Sequence, residues 1–197
     1  MPTALTDLPL KAEPQRKLWT RAEYQKLSAE MLGQERLELV CGELISKMGK
    51  KRAHVNAMIL LQAWLVQVFG LRFVHPEAPI DVEPEDNPSS EPEPDIIVTR
   101  QNISHFEAFN PRPADLLLVV EIADTTLGFD LKTKARLYAR AGIAEYWVLD
   151  VCGRRLIVHR DPRDGQYGSV AGYEEAESVA PLAAPASELR VENIFIS

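Results

Sequence analysis

Three ionisable side chains in this chain lie against apolar sequence, where an unpaired charge is costly: Asp95, Glu121 and Lys134. Asp95 opens the run Asp95-Ile96-Ile97-Val98, and Glu121 interrupts Leu116–Ile122 (LLLVVEI). Lys134 belongs to Gly128–Gly142 (GFDLKTKARLYARAG), which reads as one amphipathic helix. At about 100° per residue, Leu127, Leu131, Leu137, Tyr138 and Ala141 share one arc. Lys134 falls in the middle of that arc and Asp130 at its edge, while Lys132, Arg136 and Arg140 lie on the far side. A lysine aimed into a packed face needs an anionic partner. Two carboxylates and one ammonium, each set in apolar sequence, suggest a metal-dependent hydrolytic site. Carboxylate oxygens suit Mg²⁺ or Mn²⁺. Such an ion polarises a phosphoryl oxygen and acidifies a bound water. The lysine would orient that water or stabilise charge on the phosphoryl group.

Plainer readings stand beside this one. Asp95 can satisfy loop amides at a strand start, and Glu121 can pair with Lys134 for structure alone. Asp130 precedes Lys134 by four residues, a helix spacing worth roughly 0.2–0.5 kcal/mol, so it offers the lysine another partner. Asp130 by itself reads as structural or supporting, and Tyr138 as core with its hydroxyl at the rim.

For the acids to meet, the strands carrying Asp95 and Glu121 must be antiparallel neighbours. The expected elements allow this. Thr20-Arg21-Ala22-Glu23 is a capping box opening a helix to about Leu32. Arg36–Val40 and Glu43–Met48 form a hairpin around Cys41-Gly42. A long apolar helix spans Ala53–Phe69, closed by Gly70. Short strands follow at Arg72–His75 and Pro79–Val82, then a solvated acidic loop over Glu83–Glu93. Asp95–Thr99 is a strand, Asn102–Pro113 a connector, and Leu116–Ile122 a strand covered on both faces. After the Lys134 helix come strands at Glu145–Asp150 and Arg155–His159, with edge strands at Tyr167–Tyr173 and Leu189–Ile196. The order indicates α+β (α/β): a central mixed sheet flanked by helices.

His54, near the start of the long helix, stands beside Lys50, Lys51 and Arg52. This group fits phosphate contact through basic side chains and free helix amides, or simply a solvated helix start. Glu38 and Glu43 in the hairpin are auxiliary candidates for approach to the metal. Lys132, Arg136 and Arg140 fit either a backbone-tracking stripe or the wet face of a helix, and Trp147 is core.

Of the 197 residues, 46% are hydrophobic, enough for one sizeable core. Residues 1–18 read as a flexible tail and 19–197 as a single domain. The sequence has no membrane-length apolar run and no signal-peptide core, so a cytoplasmic protein is expected. Cys41 and Cys152 are expected as free thiols. A net charge of −7 argues against a general nucleic-acid binder, although a phosphodiester-cleaving site needs acids to hold its metal.

The stretch from Pro92 (PEPDIIVT) through LLLVVEIADTTLGFDLKTKARLYARAGIAEYWVLD resembles the Uma-type restriction endonucleases of the PD-(D/E)XK nuclease superfamily. RLELVCGELI and the helix with His54 fit as well, so the resemblance covers about residues 20–195. Its specific part is Asp124-Thr125-Thr126-Leu127, Asp130, Lys134, Tyr138, Ala141-Gly142-Ile143 and Glu145-Tyr146-Trp147. The resemblance implies a restriction-endonuclease-like core with metal at one end of the sheet. It carries the PD aspartate onto Asp95 and the second acid onto Glu121. The superfamily lysine would fall at Ala123, and a shift into the following helix maps it to Lys134. By this resemblance the protein is a Mg²⁺-dependent endodeoxyribonuclease acting on DNA. A homodimer follows by analogy, since cutting both strands needs two sites. A non-catalytic nuclease-fold module for DNA or protein binding, and a hydrolase of another phosphate ester, remain alternatives.

Overall fold

A computed structural model of the chain describes residues 15–27, 36–47, 49, 51–82 and 84–196. Its elements are helix α1 (Arg21–Tyr24), the hairpin β1 (Leu37–Val40) and β2 (Glu43–Ser46), and the long helix α2 (Arg52–Phe69). Strands β3 (Val74–Pro76), β4 (Ile96–Thr99) and β5 (Leu116–Ala123) follow. Helix α3 is composite: an α-helical turn Leu127–Phe129, a π-helical segment Asp130–Lys134 and an α-helical segment Ala135–Arg140. The chain continues through β6 (Glu145–Asp150), β7 (Arg155–Arg163), β8 (Gln166–Glu174), β9 (Ser178–Val179) and β10 (Leu189–Arg190).

The apolar runs pair into a six-stranded sheet of order β3-β4-β5-β6-β7-β8. Its neighbours are antiparallel except β5 and β6, which are parallel. A parallel pair cannot be closed by a hairpin, so the chain crosses over through α3. The unbroken apolar sequence of β5 is explained by cover on both sides. Leu118, Val120 and Ile122 join the cluster beneath α2, built on Ala57, Leu61 and Leu65. Val119 and Ala123 join the cluster beneath α3, with Leu137 and Tyr138. Because strand side chains alternate, Glu121 shares the α3 face with residues 119 and 123. Trp147 is core as expected and stacks on Trp64 of α2, ring centroids 6.5 Å apart.

The β1–β2 hairpin turns on Cys41 and Gly42, with φ of 51° and 79°, which suits a two-residue primed turn. A Cβ on Gly42 would meet Leu18 Cβ at 2.9 Å. Leu39 bridges to Glu91, which ties the hairpin to the segment before β4.

Several elements differ from the sequence reading. The Thr20/Glu23 capping box is present, yet α1 ends at Tyr24; it buries no residue, so packing does not extend it. The rest of the expected helix, residues 28–32, lies outside the described set, as do residues 1–14 of the expected tail. Pro79–Val82 is not a strand. Ile80 and Val82 are buried, but their amides donate to Pro92 O and Asn87 Oδ1 rather than to a ladder. The strand expected at Arg72–His75 is preceded by a 3₁₀ turn and moves to Val74–Pro76. The acidic loop is not simply solvated: Ser90 is fully buried and accepts from the Cys41 amide, while Glu91 accepts from Arg21. At the C-terminal end Leu189–Arg190 pairs only with Ser178–Val179, and Val191–Ile194 is a 3₁₀ turn that buries Val191 and Ile194. Both cysteines are free thiols. Among the described residues no helix is long and apolar enough to cross a membrane.

Candidate active site

The register of β4 and β5 brings the acids together. Ile96 pairs with Val120, Asp95 comes just before Ile96, and Glu121 comes just after Val120. Asp95 Oδ2 accepts from the Ile122 amide at 2.8 Å, locking the carboxylate to the end of β5. Lys134 arrives from the crossover. Its Nζ donates to Glu121 Oε1 at 2.8 Å and lies 2.9 Å from Glu38 Oε1. Tyr138 Oη donates to the same Glu121 oxygen at 2.8 Å. Asp95, Glu121 and Lys134 are 6%, 4% and 3% exposed and line one pocket of about 120 Å³.

The π-helical segment of α3 carries two buried charged residues. Residues four apart share a helix face, so Asp130 and Lys134 both face inward. The i,i+4 salt bridge anticipated between them does not form. Asp130 instead accepts from Thr126 Oγ1 at 2.6 Å, and Lys134 spends its donors on Glu121 and Glu38.

Three carboxyl groups, Glu121, Glu38 and Asp130, thus act on one buried ammonium, and Asp95 lines the same pocket. Burial raises the Glu121 carboxyl to about 8, against the pull of Lys134; Asp130, Asp95 and Glu38 add to the rise. Burial likewise raises Asp130 to about 6, again opposed by Lys134. Burial works against the Lys134 ammonium, but Glu121, Glu38 and Asp130 lift its pKa above the ordinary lysine value. Together these directions favour a charged Lys134 and disfavour full ionisation of Glu121 and Asp130.

That donor set bears on a metal. Carboxylate oxygens in electrostatic surplus suit a hard divalent cation held by one or two protein ligands and completed by water and substrate. They do not make a cage, since the described residues contain no group of three or more His, Cys, Asp or Glu placed to hold an ion. Asp95 and Glu121 therefore fit the two-carboxylate kind of site.

The remaining candidates divide. His54 is buried on the pocket wall, with Nε2 3.3 Å from Asp95 Oδ1. Glu38 accepts from the Glu93 amide as well as facing Lys134. Glu43 lies on the outer side of the hairpin, exposed, 3.6 Å from Arg16, and does not line the pocket. Lys51 lines the pocket and lies 3.1 Å from Asp124; Arg52 is exposed; Lys50 lies outside the described residues. Arg140 does not extend a free basic stripe, because its guanidinium grips Asp86. Tyr138 is fully buried, and its hydroxyl reaches Glu121 rather than the rim. Sequence reasoning undervalued Glu38. The available signal was alternation in β1, which puts Glu38 on the side of buried Val40. It also gave no role to Thr126, whose place in the DTT run before the helix was the only clue.

The Uma2 family model, described as "Putative restriction endonuclease", matches residues 21–192. The chain belongs to that family. Membership supports a nuclease-type function, and restriction-endonuclease-like families generally use divalent metal ions. The fold is similar to that of a crystal structure titled a "putative nuclease belonging to DUF820" from Anabaena variabilis ATCC 29413. The TM-score is 0.68 at 15% identity, with 89% of this chain and 97% of that chain covered. At that identity the likeness is one of fold. None of the curated proteins matches the chain.

Proposed function

We propose that this Uma2 protein is a Mg²⁺- or Mn²⁺-dependent endonuclease hydrolysing phosphodiester bonds of DNA. The observation that supports this best is the meeting of Lys134 and Glu121 beside Asp95 in one pocket, from three separate elements. In this reading Asp95 and Glu121 hold the cation. When bound, such an ion supplies Lewis acidity at a phosphoryl oxygen and a more acidic water. The chain's own groups position and stabilise. An ammonium carries three donors; Glu121 and Glu38 engage two, which leaves one for the phosphoryl oxygen on which charge builds. Glu38 and Tyr138 keep Lys134 and Glu121 in register, and the Ile122 amide fixes Asp95. In hydrolysis a water oxygen bonds to phosphorus, one P–O ester bond breaks, and the departing alkoxide takes up a proton. A second copy of the chain would supply the second site for double-strand cleavage.

Calorimetry with Mn²⁺ on the wild type and Asp95→Ala, followed by plasmid nicking with Glu121→Ala and Lys134→Ala, tests the proposal. Wild-type metal binding and nicking, both lost on substitution, are expected. A second reading is a non-catalytic module of the same fold, in which Lys134, Glu121 and Glu38 form a structural ion triad. The paired state of Lys134 favours it. A wild type that binds no Mn²⁺ and leaves plasmid intact would establish it over the first.

A further inference from the structure

The two edges of the six-stranded sheet are built differently. An edge strand presents a row of unpaired N–H and C=O groups, and short length, charge or proline normally keeps other chains off it. The β3 edge follows that rule: it has three residues and ends in Pro76. The β8 edge does not. It runs nine residues, Gln166–Glu174, and among the described residues it pairs with β7 alone. From Tyr167 to Tyr173 it carries no charge and no proline. None of its nine residues is buried, and Val170 at its midpoint is 57% exposed. The register fixes which backbone groups face outward. Asp164 and Gly165, with φ of 51° and 71°, form a two-residue primed turn between Arg163 and Gln166. In such a turn the Gln166 N–H donates to the Arg163 carbonyl, so Gln166 faces its backbone polar groups to β7. Orientation alternates along the strand, which turns those of Tyr167, Ser169, Ala171 and Tyr173 away from the sheet.

A second observation says what fits there. The stretch Tyr167-Gly168-Ser169-Val170-Ala171-Gly172-Tyr173 reads nearly the same in either direction, with Val170 at its centre. Antiparallel pairing of two copies about a two-fold axis at Val170 sets Tyr167 opposite Tyr173, Gly168 opposite Gly172 and Ser169 opposite Ala171. The outward N–H and C=O groups then meet in register, and small residues stand opposite small ones. At the ends Gln166 meets Glu174, an amide donor against a carboxylate acceptor, and the symmetry repeats the contact. Val170 meets its own copy in the closer, non-hydrogen-bonded kind of pair. An apolar groove lined by Leu131, Ala135, Ile157 and Tyr167 opens beside it.

We propose that β8 is a self-association edge: a second copy of this chain lays its own β8 antiparallel along it, centred on Val170, and the two six-stranded sheets become one. The pairing is isologous, so the same residues serve on both copies and no further chain can add. It names the surface a second copy uses, and it stands whether or not the chain cuts DNA.

The test is sedimentation velocity of the full chain. A strand-pair interface is small, so the wild type should pass from monomer to dimer between about 1 and 200 µM. Ala171→Pro removes an outward N–H from each copy and spares the ladder to β7. Val170→Lys sets like charges opposite each other at the axis. Each should weaken the dimer at least about tenfold. Ile103→Lys, at a residue 58% exposed elsewhere on the surface, should leave it unchanged. Val170→Lys keeps the test decisive should Ala171→Pro unfold. Register is read by oxidation with diamide in a Cys152→Ser background: Val170→Cys should form a disulfide-linked dimer, and Ser169→Cys, off the axis, should not. A wild type that stays monomeric across the range would overturn the proposal. So would a dimer equally tight in Val170→Lys and Ala171→Pro, or equal cross-linking at positions 169 and 170. Mn²⁺ calorimetry and plasmid nicking read the nuclease site separately, so a monomer that nicks plasmid leaves that reading standing.

Discussion

Replacing Lys134 with methionine tests the central arrangement without any assumption about catalysis. The substitution keeps an unbranched side chain of similar length, so cavity formation contributes little. What it removes is the ammonium buried against Glu121 and Glu38. Nζ lies 2.8 Å from Glu121 and 2.9 Å from Glu38, and the three side chains are 3%, 6% and 4% exposed. Deleting one member of a buried ion pair strands its partner's charge and costs about 3–5 kcal/mol. A domain of this size loses about 2–4 °C of Tm per kcal/mol, so the shift should be roughly 6–20 °C. Urea unfolding at pH 7.5 and differential scanning calorimetry measure it. Lys132→Met, on the exposed side of the same helix, should stay within about 0.5 kcal/mol of wild type. Adding Glu121→Gln to Lys134→Met should recover at least about 1 kcal/mol by removing one stranded charge. A Lys134→Met protein within about 1 kcal/mol of wild type would refute the reasoning, because the ammonium could not then be buried against its acids.

Two further outcomes follow. Tyr138→Phe removes a buried donor to a carboxylate and should cost about 1.5–3 kcal/mol in urea unfolding, while a change under about 0.5 kcal/mol would mean that the hydroxyl is not needed by Glu121. Burial lowers the pKa of His75, which favours the neutral ring in the folded protein; wild-type stability relative to His75→Gln should therefore fall as pH drops below about 6.5, the unfolded value, and parallel stability curves from pH 7.5 to 5.5 would contradict this.

Much of the fold was legible because its signals are local. The apolar runs at 96–99 and 116–123, the Cys41-Gly42 turn and the Gly70 stop to α2 each follow from side-chain chemistry over a few residues. Elements set by distant partners were not legible. Ile80 and Val82 look like strand residues, but their amides go to Pro92 and Asn87, which no local pattern reveals. Ser90 lies in an acidic, proline-rich stretch and is nonetheless fully buried under the hairpin.

The candidate site shows the same division. An isolated acid in an apolar strand and a lysine on the apolar arc of a helix announce buried charges that need partners, and they do so from sequence alone. Which charges meet was decided by tertiary structure: the antiparallel register set Asp95 beside Glu121, and the crossover laid α3 over that end of the sheet. The helical wheel pointed Lys134 inward and left Asp130 at the edge of the arc; in the folded chain both are buried, within a π segment that no local pattern announced. Glu38 became the second partner of Lys134 only because the hairpin folds over the pocket. Burial cost is a property of a residue and its neighbours in sequence, so the sequence carried it; pairing is a property of three-dimensional distance, so only the fold could assign it.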